Sequence, residues 1–246
     1  MRHKVSGFTY IYNAIAGGYP IMEAIESVRD YVDEIVVVDC QSDDGTRKLL
    51  ERLGVRIIDG QWGSDAGVIL AAAHALHTEC SGDVIVHFEA DEIYDRELIR
   101  EIAIEIDVNN CDLAVWRLQL AQNFQRCQWY PEPVHRVYPK GSVSKEGHTT
   151  TRHDEAQLID QTAGYLWDIT NCFRDNWQRR FQQQAELWGH SEPLYRRVPL
   201  HFLQDPMDFD VEAFLREPHW TWTTTPFKIP GILQPLVGKT KYEVTL

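Results

Sequence analysis

The chain has 246 residues, 43% apolar and 25% charged, enough for one large core with at most a small appendage, which excludes a largely disordered chain. A formal charge of −13 lacks the Lys and Arg excess that grips nucleic-acid phosphates, so a nucleic-acid partner is disfavoured. Five cysteines at 40, 80, 111, 127 and 172 form no CxxC pair, which argues against a zinc knot or a disulfide framework and for reduced thiols in a cytoplasmic protein.

The opening MRHKVSGFTY has no apolar stretch before the first strand, so no signal peptide is expected. No run of about 18 apolar residues occurs, so no integral membrane contact is expected. Lys4 to Tyr12 reads as a first strand entering a loop with Asn13 and Gly17-Gly18. Pro20 can open a helix whose apolar face carries Ile21, Ala24, Ile25 and Val28. Glu34 to Asp39 (EIVVVD) reads as a strand buried on both faces, followed by the turn and cap residues QSDDGT and a helix from Thr46 to Leu53. Val55 to Ile58 is a third strand, and Gly67 to Leu76 is helix-like. Asp83 to Phe88 is a fourth strand, and Asp95 to Ile106 is a helix. This alternation predicts an α/β fold with a mostly parallel central sheet and helices on both faces.

The second half changes character. Leu113 to Leu118 reads as a strand, Val134 to Tyr138 as part of a hairpin, and Asn176 to Trp188 as a polar helix. Prolines then recur at 193, 199, 206, 218, 226, 230 and 235, with Trp220 and Trp222 among them, which predicts an irregular aromatic and Pro-rich C-terminal extension wrapping the domain. The expected division is an α/β half 1–110, a second half of the same domain 111–190, and the extension 191–246.

Ligands of open α/β sheets bind beyond the carboxyl ends of the strands. Three loops lie there: Thr9, Tyr10 and Asn13; Asp39, Ser42 and Asp44; and Glu89, Asp91 and Glu92. The third places three carboxylates within four residues after an apolar strand. Alternation along an extended chain puts Glu89 and Asp91 on one side, where like charges repel unless a cation compensates. Mg²⁺ and Mn²⁺ take one or two carboxylates together with substrate phosphates. Asp91 is expected to be exposed at the strand end. No GxGxxG turn follows the first strand, which weakens a dinucleotide reading.

In order, SGFTYIYN, YPIMEAIESVRDYVDEIVVVDCQSDDGT and SGDVIVHFEADEI resemble the family-two glycosyltransferases of the GT-A fold over residues 4–107. The resemblance implies a metal-dependent transferase using Mn²⁺ or Mg²⁺ and a UDP- or GDP-linked sugar, with inversion at the anomeric carbon. It implies Thr9, Tyr10 and Asn13 near the nucleobase and ribose, Asp39 at the base, and Ser42 and Asp44 beside them. Trp62 and Asp65 fall in a loop lining the donor. Asp91 matches the metal-binding acid, and Glu89 stands where the family usually has Asp, still able to reach a metal or a ribose. HRVYPKGSVSKEGHTT resembles a stretch ending in His-Glu in lipopolysaccharide-core relatives. Here it ends in His148-Thr149, so His148 can keep a metal or diphosphate role while the general base stays open among His148, Glu132, Glu146, Asp154 and Glu155. Within WDITNCFRDNWQRRF, Arg174 can clamp a diphosphate and Trp167 or Trp177 can stack on a sugar or base. Two alternatives remain. A sugar nucleotidyltransferase needs a glycine-rich basic loop that FTYIYNAIAGG lacks. A non-catalytic nucleotide-sugar-binding module fits Glu89 and Thr149.

Overall fold

EIVVVD forms strand β2 (Glu34–Asp39), flanked by β1 (Val5–Ile11) and β3 (Arg56–Asp59), and β1 pairs on its other side with β4 (Val84–His87). All three pairings are parallel. These come from a computed structural model, which describes residues 3–62, 72, 74–108, 111–121, 124, 126–128, 131–142, 156–173, 176, 179, 222–224, 228–239 and 241–244.

The crossovers are helical, as parallel neighbours require. A short α1 (Ala14–Gly17) and α2 (Ile21–Val28) link β1 to β2, and α3 (Thr46–Leu53) links β2 to β3. Residues 74–78 are helical before β4. After β4 come β5 (Glu92–Tyr94) and α4 (Arg96–Asp107). Alternate residues of the parallel strands enter different cores. Val5, Ile35, Val37, Val84 and Val86 pack with α2, α3 and α4, while Phe8, Val36, Val38 and Ile85 pack with Ala72, Ala75 and Leu76. Helices therefore cover both faces, and a continuous apolar strand is what that arrangement demands.

The second half extends the sheet with mixed directions. β8 (Glu132–Pro139) lies antiparallel to β4 and to β6 (Leu113–Ala121). Beyond β6 come β7 (Arg126–Gln128) and β11 (Trp222–Thr224), both antiparallel additions. The short β9 (Gln157–Leu158) pairs parallel with β6. β10 (Leu166–Asn171) runs parallel to β6 and antiparallel to β5. Val134 to Tyr138, read as part of a hairpin, thus lies within an interior strand.

A third core joins Trp167, Ile169, Phe173, Leu233 and Tyr242, and the Tyr242 hydroxyl donates to Glu23 at 2.9 Å. The C-terminal stretch around Leu233 and Tyr242 therefore packs against α2. The other residues of the extension, and nearly all of the predicted helix 176–188, lie outside the described residues. No described helix is long and apolar enough to cross a membrane. All five cysteines are free, and burial pushes the Cys40 and Cys80 thiols up to about 12.

Gly82 sits where β4 begins beside β1. A Cβ there would lie 2.6 Å from the Ser6 amide nitrogen and 2.9 Å from the Lys4 carbonyl oxygen, both backbone atoms. Gly82→Ala is expected to push β4 from β1 and cost about 1–3 kcal/mol, read as a lower urea midpoint.

Candidate functional site

The loops after β1 and β2 are tied together. Asn13, in the left-handed conformation that Asn tolerates, donates its backbone N–H to Ser42 Oγ (2.8 Å) and its side-chain amide to Asp43 (2.9 Å). Asp44 accepts from the Ala16 and Thr46 backbone amides at 2.7 and 2.9 Å. Asp39 is buried; Oδ1 accepts from Ser42 N–H at 3.1 Å and Oδ2 from Arg47 at 3.3 Å, and Arg47 also meets Asp59. Asn13 thus ties to Ser42 and Asp43, Asp44 ties to Ala16 and Thr46, and Asp39 is shared between Ser42 and Arg47. Thr9 is buried, its hydroxyl donating to the Tyr10 carbonyl at 3.4 Å. Asn176 braces this loop from behind, donating to the Ile15 and Ala16 carbonyls and accepting from Tyr242 N–H.

The acidic segment departs from the extended geometry expected of it. Glu92 N–H donates to the Glu89 carbonyl at 3.0 Å, so Glu89 to Glu92 form a turn and strand alternation does not apply. Asp91 is also not exposed: it is 6% accessible. The cause is β10, which pairs with β5 and donates Ile169 N–H to the Asp91 carbonyl at 3.0 Å, covering the turn. Glu89 alone of the three acids faces solvent substantially, its side chain 48% exposed.

Glu92, 1% exposed, is the centre of an ion network that sequence reasoning missed. Arg136 on β8 donates Nε and Nη2 to its two carboxylate oxygens at 2.8 and 2.6 Å, and Nη2 also reaches Glu89 Oε1 at 2.9 Å. Arg117 on β6 lies 3.4 Å from Glu92, 3.9 Å from Asp168, and against Glu132. Burial would raise the Glu92 pKa, but the two guanidinium groups hold it down to about 2. Glu132, a candidate base, is brought beside the acidic turn, but one oxygen is tied to Arg117.

Aromatic side chains at and just beyond the ends of β1, β3 and β4 form one wall. Tyr12 stacks on Trp62 with centroids 4.1 Å apart and planes 17° off parallel. His87, at the end of β4, lies 6.3 Å from the Tyr10 ring and 6.5 Å from Tyr138. Burial, then the nearby Arg136, pushes the His87 pKa down to about 3, so it is neutral. Its two ring nitrogens, the Trp62 indole nitrogen and the Tyr138 hydroxyl are buried without hydrogen-bond partners among the described residues.

Asp65, Glu146, His148, Asp154, Glu155, Arg174 and Trp177 lie outside the described residues. Trp167, read as a possible stacking surface, is instead a buried core residue whose indole N–H donates to Asp95 at 3.3 Å. Among the described residues no three His, Cys, Asp or Glu form a ready metal cage. The donor set nevertheless fits a hard cation shared with a diphosphate. Glu89 contacts Arg136 through Oε1, Oε2 has no hydrogen-bond partner among the described residues, and such ions need only one or two carboxylates beside phosphate oxygens.

The family profile for glycosyl transferase family 2 matches residues 9–163. A Rickettsia felis protein described as an uncharacterized glycosyltransferase is 36% identical over 109 residues, covering 44% of this chain and 36% of its own length. A Rickettsia bellii protein of the same description is 35% identical over 99 residues, 40% of this chain and 31% of its own. The chain thus spans about a third of the length of these curated relatives. Among solved structures, S. aureus TarS 1–349 aligns with a TM-score of 0.48 at 14% identity, covering 85% of this chain and 76% of that one. Glucosyl-3-phosphoglycerate synthase from Mycobacterium tuberculosis, in complex with Mn²⁺, UDP and glucosyl-3-phosphoglycerate, aligns with a TM-score of 0.36 at 18% identity over 47% of this chain and 44% of that one.

Proposed function

Because the chain belongs to glycosyl transferase family 2, we propose that it transfers a sugar from a UDP- or GDP-linked donor to an acceptor hydroxyl, and that the donor occupies the cleft between the acidic turn and the aromatic wall. The observation that carries this is the half-exposed Glu89 carboxylate, held on an arginine at the carboxyl end of a parallel strand.

Asp91 and Glu89 would hold Mn²⁺ or Mg²⁺ together with the donor's phosphates, and the ion would supply neutralisation of the charge that grows on the leaving diphosphate. The chain's own groups do the rest. Tyr10, Tyr12 and Trp62 offer flat apolar surface to the base. Asn13, Ser42, Asp44 and Asp39 keep the first two loops in register for base and ribose, with Thr9 packed beneath. Transfer proceeds by attack of the acceptor oxygen on the anomeric carbon as the carbon–phosphate-oxygen bond breaks, which inverts that centre. The acceptor proton passes to a base. Glu132, His148 and Asp154 are the proposed candidates, and Arg174 is proposed to steady the diphosphate. A cytoplasmic setting fits the free thiols.

Calorimetric titration with UDP and with GDP, with and without Mn²⁺, tests this. One nucleotide should bind at least about tenfold more tightly with the ion. If neither nucleotide binds in a metal-dependent way, the transferase reading is wrong for this site. Nucleotide binding with no turnover of any nucleotide sugar would favour the non-catalytic module.

A further inference from the structure

Resting on that reading of the cleft, we propose that Arg136 is a positioning residue: it fixes Glu89 for the cation without itself touching the donor. Glu89 is restrained at both ends. Its backbone N–H donates to Glu92 Oε2 at 3.1 Å, and its carboxylate accepts from Arg136 Nη2 at 2.9 Å. Both restraints trace to one anchor, because Glu92 also holds Arg136 through Nε and Nη2.

The anchor itself is stiff. Glu92 lies on β5 within the sheet, Arg136 lies on β8, and a planar guanidinium gripped at two edges has one orientation. The remaining Arg136 nitrogen, Nη1, reaches the His135 carbonyl at 3.3 Å, which closes the fork on its own strand. Glu89 has a longer and more mobile arm than Asp. Arg136 limits that freedom by holding Oε1, while Oε2 has no hydrogen-bond partner among the described residues.

This arrangement also divides the acidic turn by task. Glu92 is committed to two arginines and sits too deep to meet an ion, whereas Glu89 is the outward end of the same network. A lysine at 136 has one charged nitrogen in place of the fork, so it can contact Glu92 but cannot hold both carboxylates in the present geometry.

The test is the Mn²⁺ concentration that gives half-maximal UDP binding, with thermal midpoints recorded in parallel. Arg136→Lys is expected to raise that concentration about tenfold, the scale typical of groups that orient a metal ligand, with UDP affinity at saturating Mn²⁺ held within about twofold. Glu89→Gln, which changes a half-exposed group and should fold, is expected to raise the Mn²⁺ requirement at least as much. A purely structural arginine would lower the thermal midpoint and leave the Mn²⁺ requirement where it was, and that result overturns the inference. If Arg136→Lys does not fold, Glu89→Gln decides: an unchanged Mn²⁺ requirement means that Arg136 has nothing to act through. Absence of Mn²⁺-dependent UDP binding in the unaltered protein overturns the reading of the cleft itself, and the inference with it.

Discussion

Glu92→Gln should destabilise the protein by about 3–5 kcal/mol, the cost typical of removing one partner from a buried ion pair. The side chain is 1% exposed and balances Arg136 at two contacts and Arg117 at a third. The amide keeps the shape but removes the negative charge, leaving two arginines in the interior with less compensation. Urea denaturation at neutral pH measures the loss. The pH dependence adds a signature. The folded Glu92 pKa, about 2, lies below its ordinary value of 4.5. Its contribution is therefore fully present above about pH 4.5 and is lost as pH falls through about 2. The stability gap between the unaltered protein and Glu92→Gln should narrow steadily over that acid range. A gap independent of pH would mean that Glu92 acts through packing rather than charge.

Asp91→Asn should do the opposite: a smaller effect on stability and a large one on ligand binding. The exchange is isosteric, and the backbone carbonyl that accepts from Ile169 N–H is untouched. What changes is the negative charge beside Glu89. Metal-dependent UDP affinity is expected to fall by about a hundredfold or more, since a neutral amide is a far poorer ligand for a hard cation. Full Mn²⁺-dependent binding in Asp91→Asn would remove Asp91 from the site. The pair of variants separates two acids that are neighbours in sequence: Glu92 acts mainly on the fold and Asp91 mainly on the ligand.

The parallel half was legible because its signals are local. EIVVVD was bounded from its valines alone, and the strand occupies the same Glu34–Asp39. The spacing of Leu98, Ile99, Ile102 and Ile106 marked one helical face, and all four are buried. The ion network left no such trace, because Arg117 and Arg136 reach Glu92 from 25 and 44 residues away on antiparallel strands. An arginine within RVYP looks like any edge residue until β8 is placed beside β4. The burial of Asp91 failed to show for the same reason, since β10 covers it only after the second half has folded back. Trp167 was misread because a tryptophan in a polar, basic stretch resembles a binding surface, whereas its strand turns it into the core beside Asp95.

The most direct test of the account is a crystal structure of the protein soaked with a UDP- or GDP-linked sugar and Mn²⁺. The account predicts the ion between the donor's diphosphate and the carboxylates of Asp91 and Glu89, with the base against the Tyr12–Trp62 wall and Arg136 still on Glu92. Nucleotide bound away from the carboxyl ends of β1 and β4, or a diphosphate that leaves both Asp91 and Glu89 untouched, would contradict it.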